Sequence, residues 1–170
     1  MPSSEHLYFC YGSNLLSTRM HINNPDAERL CVARLQDWKL DFNGTSKFWG
    51  GCSADIFPEK GSTVIGVVWV VHDLAPLDRQ EIFYRPIQVE VESVKDGSRM
   101  NCRTYIQEED YKRTCDGKPR MPSLAYKNVI LAGARESGLP QEYIDCIRKV
   151  EDNGVIPEQI SKLVPESLTG

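Results

Sequence analysis

From residue 7 to residue 107 the apolar positions fall mostly in short blocks or in alternation; beyond residue 122 they recur at helical spacing. Tyr8, Phe9, Cys10 and Tyr11 fill a strand over Leu7–Tyr11. Gly12-Ser13-Asn14 breaks it before a short helix near Leu15–Ile22, which Asn23-Asn24-Pro25 ends. Within Cys31–Phe42, Trp38, Leu40 and Phe42 share one face of a further strand, and Val32 and Leu35 are additional core candidates. Gly44–Lys47 reads as a turn and Gly51–Phe57 as the next strand. Thr63–Val71 (TVIGVVWVV) is apolar on both faces, as a central strand is.

At His72–Glu81 the pattern changes. Asp73 is placed to cap a short helix that turns Leu74 and Leu77 inward. Tyr84–Val94 then alternates, with Ile87, Val89 and Val91 against Gln88, Glu90 and Glu92. Asp96-Gly97 marks a hairpin turn, Met100–Gln107 is the return strand, and 108–121 reads as a polar loop. Two helices follow. Pro122–Glu136 carries Tyr126, Val129, Ile130 and Gly133 on one face and has Gly138 at its C-terminal cap. Pro140–Val150 turns Tyr143, Ile144 and Ile147 inward. The tail from about Asn153 is thin in apolar residues and is expected to be loosely held. Many strands followed by helices, without repeat or dividing linker, predict a single α+β domain over residues 1–170, built on a mixed sheet or small barrel.

Composition narrows the function classes. The 170 residues are 41% hydrophobic and 26% charged, enough for one ordinary core. With 20 Lys+Arg against 24 Asp+Glu, the net charge of −4 argues against a nucleic-acid or anionic-membrane surface. No apolar run approaches the roughly 18 residues that span a bilayer. The start, MPSSEHLYFCYG, lacks the basic-then-apolar order of a signal peptide, so a cytoplasmic protein is expected. The six cysteines form no C-x-x-C pair and the three histidines are far apart, so no metal is expected. The absence of a P-loop and of G-x-G-x-x-G argues against a nucleotide cofactor.

Three places carry candidate chemistry, each with a plain structural alternative. Gly12-Ser13-Asn14 is either a capped turn or a set of outward amides at a helix start, suited to a carboxylate or an oxyanion. Glu81 is either a solvated surface acid or, beside Ile82-Phe83-Tyr84, a partly buried one whose pKa rises toward neutrality. Tyr126 either packs in the core or reaches a pocket with its hydroxyl.

Together these stretches meet a known pattern. YFCYGSNL resembles the N-terminal YGSN motif of the γ-glutamylcyclotransferase family. CVARLQDWKLDF, VIGVVWVV, LDRQE and AYKNVILAGARESGLP, in that order, are similar to stretches of the family's animal form, and the likeness spans roughly residues 7–150. The resemblance implies a mixed barrel-like sheet with peripheral helices and cleavage of γ-glutamyl dipeptides to 5-oxoproline without a cofactor. This lyase reaction belongs to the γ-glutamyl cycle of glutathione metabolism, and the resemblance implies a homodimer. It places Tyr8, Phe9, Cys10, Tyr11, Gly12, Ser13 and Asn14 along the substrate, Glu81 as catalytic acid/base, and Tyr126 in contact with substrate. One departure stands out. Where the family has a glycine-containing loop after the glutamate, this chain has only Ile82-Phe83 before Tyr84. Two alternatives therefore accompany the first reading: a sister enzyme acting on γ-glutamyl amines, and a catalytically impaired relative.

Overall fold

A computed structural model of the chain describes residues 5–161. Five strands close into a barrel in the order β1-β3-β2-β4-β5. They are β1 (His6–Cys10), β2 (Glu28–Ser46), β3 (Gly51–Val71), β4 (Tyr84–Ser93) and β5 (Arg99–Gln107). All pairings are antiparallel except the closing one, where β1 meets β5 in parallel with Tyr8 opposite Arg103. Closure removes the sheet edges that would otherwise invite foreign strands. The helices lie outside: α1 (Ser17–Asn23), α2 (Ala75–Gln80), α3 (Glu109–Lys112), α4 (Leu124–Ser137), α5 (Gln141–Arg148) and α6 (Glu158–Ser161). The fold is α+β, as the residue pattern predicts, and of the mixed sheet or small barrel which that pattern leaves open it is the barrel, with the peripheral helices that the resemblance implies.

The main difference from the predicted elements lies in β2 and β3. Gly51–Phe57 and Thr63–Val71 are two ends of one strand, and the turn expected at Gly44–Lys47 falls instead at 47–50. The reason is an irregularity rather than a break. Gln36 pairs with Thr63 but Trp38 pairs with Pro58, so residues 59–62 bulge out opposite Asp37. Asp37 takes a left-handed φ of 66° there, and its carboxylate accepts the Gly61 N–H at 2.9 Å. Polar, turn-prone residues thus bend a continuous ladder.

Two further corrections concern short elements. The polar stretch 108–121 holds α3 and a 3-10 turn at Arg113–Cys115, with Tyr111 and Cys115 buried beneath it. The segment from Asn153 is pinned as far as α6. Asn153 Nδ2 donates to the Gly50 carbonyl at 2.8 Å, Ala125 N–H donates to Val155 O at 3.2 Å, and Ile160 is fully buried.

Around the barrel core, Phe9, Ile56, Val64, Val67, Val68 and Trp69 are inaccessible to solvent or nearly so. Outside it, Tyr126, Val129, Ile130 and Gly133 form the buried face of α4, as their spacing predicts. Ser123 caps that helix by accepting the Tyr126 N–H at 3.0 Å, and Gly138 ends it with φ 77°. Gly133 decides where α4 lies. A Cβ on it would fall 2.4 Å from the Leu16 nitrogen, so only glycine lets the helix rest against the backbone after the YGSN motif.

Candidate active site

The chain leaves β1 at Cys10 and turns through Gly12, where no regular helix begins. A single 3-10 turn, Ser13–Leu15, comes first, and α1 starts only at Ser17. Neither Ser13 nor Asn14 caps it with a side chain, which corrects the capping expectation. Asn14 is instead a buried hub. Its Nδ2 donates to the Tyr8 hydroxyl at 2.9 Å, its Oδ1 accepts from Gln80 Nε2 at 3.2 Å, and its carbonyl accepts from Trp69 Nε1 at 3.1 Å. These bonds fix the turn to β1, α2 and β3 together. Among the described residues the amides of Gly12, Ser13 and Asn14 donate to no backbone carbonyl, which leaves them available beside the cavity.

That cavity, about 310 Å³, is walled largely by tyrosines. Two of them clamp one residue of β3. Tyr126 accepts the Ala54 N–H at 2.9 Å and Tyr84 donates to the Ala54 carbonyl at 2.7 Å. Tyr126 also lies against Trp49, with ring centroids 4.6 Å apart, and its hydroxyl is 3.4 Å from where a Cβ on Gly12 would stand. Tyr11 donates to the Tyr105 carbonyl at 2.5 Å, and Tyr105 donates to Asp78 at 2.6 Å. Burial pushes the Tyr8, Tyr84 and Tyr126 phenols well above their ordinary pKa, so they remain neutral hydrogen-bonding groups.

Glu81 closes α2 and faces this cavity. Its N–H donates to Leu77 O at 2.9 Å, and its carbonyl accepts the Tyr84 N–H at 3.0 Å. Glu81-Ile82-Phe83-Tyr84 is therefore one tight turn running straight into β4. The short link keeps the carboxylate on the cavity wall, where it lies near Tyr8 and Tyr126. Burial lifts the Glu81 pKa to about 7, against the opposing pull of the Arg19 guanidinium. A carboxylate poised there exchanges protons readily at neutral pH.

Of the candidate residues, Tyr8, Tyr11, Gly12, Ser13, Asn14, Glu81 and Tyr126 meet at the cavity. Phe9 and Cys10 do not. Both are buried in the core and off the lining, and burial raises the Cys10 thiol to about 12. Arg19, Trp49, Tyr105 and Tyr111 are among the lining residues that escaped the sequence reading. Tyr105 falls in the predicted return strand, Tyr111 in the predicted polar loop and Arg19 in the predicted short helix, none of which marks them as site residues. Among the described residues no group of three or more His, Cys, Asp or Glu side chains is arranged to hold a metal ion. Nor is any described helix long and apolar enough to cross a membrane.

A closed barrel with a tyrosine-walled cavity, a YGSN turn and one raised carboxylate defines a recognisable class. Residues 63–147 match the AIG2-like family model. Gamma-glutamylcyclotransferase of Homo sapiens is 40% identical over 176 residues, covering 96% of this chain and 89% of the relative. The Bos taurus protein of the same name is 43% identical over 171 residues, covering 93% and 87%. A solved structure of a gamma-glutamyl cyclotransferase superposes with a TM-score of 0.84 at 39% identity, over 94% of this chain and 98% of that one. The chain belongs to the γ-glutamylcyclotransferase family.

Proposed function

We propose that this protein cyclises γ-glutamyl-amino acids, releasing 5-oxoproline and the free amino acid. The observation that carries the reading is the Glu81 carboxyl, lifted to about 7 on the wall of a cavity that the YGSN turn also lines. The substrate carries its own nucleophile, the α-amine, a few bonds from the γ-carbonyl. Holding it folded supplies much of the rate, since oriented intramolecular attack gains on the order of 7–11 kcal/mol. The α-amine attacks as the free base, having lost its ammonium proton to solvent, and Glu81 takes the proton that the nitrogen sheds as it bonds to the γ-carbon. Glu81 then gives that proton to the departing nitrogen as the old C–N bond breaks, so the amino acid leaves as a neutral amine and is protonated in water. One carboxyl serves both steps, typically a factor of ~10²–10⁴. The free amides of Gly12, Ser13 and Asn14 are suited to the tetrahedral oxygen. The Tyr126 hydroxyl accepts from Ala54, which leaves its own proton for the substrate.

The same reading includes a cytoplasmic homodimer acting in the γ-glutamyl cycle; these points rest on family resemblance. Sedimentation of the purified protein tests the dimer. The activity is tested by 5-oxoproline release from γ-glutamyl-alanine and γ-glutamyl-lysine, run side by side. Release from the alanine substrate supports the proposal, and release from the lysine substrate alone replaces it with a γ-glutamylamine activity. No release from either, by a folded protein, makes this an impaired relative.

A further inference from the structure

Arg19 and Glu81 are the two charged side chains among the residues lining the cavity, and the mechanism above uses only one of them. Arg19 projects from α1, the element that directly follows the YGSN turn. Its guanidinium lies over the Trp49 ring, 5.7 Å from the centroid. Its Nε is buried without a hydrogen-bond partner, and no carboxylate forms an ion pair with it among the described residues. Glu81 acts on it through space without meeting it, and burial lowers its pKa from the usual arginine value. A half-buried guanidinium pays for lost hydration and ordinarily recovers it from an anion. Here the protein itself supplies none.

We infer that Arg19 is the seat of the α-carboxylate of the γ-glutamyl group; the inference rests on the cyclisation reading. A γ-glutamyl dipeptide has two carboxylates. The α-carboxylate is borne on the same carbon as the attacking amine, so a substrate whose amine meets Glu81 holds that carboxylate within a few ångströms. Arg19 lies on this side, close enough to oppose the shift of Glu81. The leaving amino acid's carboxylate lies beyond the γ-carbonyl, several bonds farther from the amine-bearing carbon. A guanidinium fork on the α-carboxylate would fix the Cα substituents and aim the amine at the γ-carbonyl. The arrangement selects an unmodified α-carboxyl on the glutamyl residue and is indifferent to one on the leaving group.

The test compares Arg19 and Arg19→Gln proteins on three substrates: γ-glutamyl-alanine, the same dipeptide with its glutamyl α-carboxyl as carboxamide, and the same dipeptide with its alanine carboxyl as carboxamide. Alanine or alaninamide release is followed. The unmutated protein is expected to lose about 10- to 100-fold in kcat/KM, mostly through KM, on the glutamyl α-carboxamide alone. Arg19→Gln is expected to lose a similar factor on γ-glutamyl-alanine but little more on the glutamyl α-carboxamide, the non-additivity of a direct contact. Arg19→Lys recovers part of the loss, and circular dichroism confirms that each variant is folded. Equal losses by Arg19→Gln on all three substrates, or selective loss on the alanine carboxamide, overturn the inference. If the unmutated protein releases nothing from γ-glutamyl-alanine, the cyclisation reading has failed separately. Calorimetric titration with the three compounds then reads the same cycle from binding, and binding that ignores Arg19 or the glutamyl α-carboxamide overturns the inference.

Discussion

The two sides of the cavity are built in different ways. The YGSN side is locked: Asn14 spends its side chain and carbonyl on three partners, Gly133 admits α4 against the Leu15–Leu16 backbone, and Gly66 lets the Cys10 carbonyl pass where a Cβ would meet it at 2.0 Å. The Glu81 side is slight. A three-bond turn links α2 to β4, Ile82 and Phe83 are 69% and 51% exposed, and Phe83 is steadied by stacking on Tyr111 at 4.7 Å and by accepting the Glu108 N–H. On the proposed reading, the groups that hold the substrate are embedded in the barrel, and the group that takes and returns a proton sits on the thinner, less buried wall, where partial burial rather than a network of fixed bonds sets its pKa.

This contrast predicts unequal consequences of substitution. Glu81→Gln removes the proposed proton carrier and is expected to cut 5-oxoproline release by ~10²–10⁴ while the protein stays folded, checked by turnover and thermal unfolding together. The stability effect has a definite sign. A carboxyl whose folded pKa is raised from 4.5 to about 7 favours the folded state below about 4.5, and that contribution is lost as pH rises toward 7. Above pH 7 the partly buried charge is a net cost, so Glu81→Gln is expected to be more stable than the unmutated protein by roughly 1–3 kcal/mol at pH 8 and by little at pH 4. Gly133→Ala strikes the locked side. Its Cβ meets backbone 2.4 Å away, so stability falls by about 1–3 kcal/mol in urea unfolding and KM rises with it. Phe83→Ala has the smallest effect, about 1 kcal/mol or less in unfolding, since it removes one stacked ring from an exposed turn. Any loss of turnover there is expected to vary with the leaving amino acid.

How much of this was legible in the sequence follows the same division. Strand alternation in Tyr84–Val94 and the helical face of Tyr126, Val129, Ile130 and Gly133 are local patterns, and they are found where they predict. The continuity of β3 is not local, because the bulge at 59–62 is defined only by its partner Asp37. At the site, YGSN, Glu81 and Tyr126 were visible as motif and family resemblance. Phe9 and Cys10 were drawn in with the motif although their side chains go to the core. Arg19 was invisible because a lone arginine on a seven-residue helix has no pattern; its place on the cavity wall, over Trp49 and with an unpartnered Nε, marks it out in the fold. The Ile82-Phe83 link, a concern by sequence, is in the fold a turn that still presents Glu81 to the cavity.

The central claim is that one partly buried carboxyl does the proton work beside a fixed cradle. The pH dependence of kcat/KM for 5-oxoproline release from γ-glutamyl-alanine tests it most directly. The account predicts an acid limb centred near pH 7, the value to which burial lifts Glu81, and no such limb in the residual activity of Glu81→Gln. A profile that is flat from pH 5 to 8, or a limb that survives unchanged in Glu81→Gln, would contradict it.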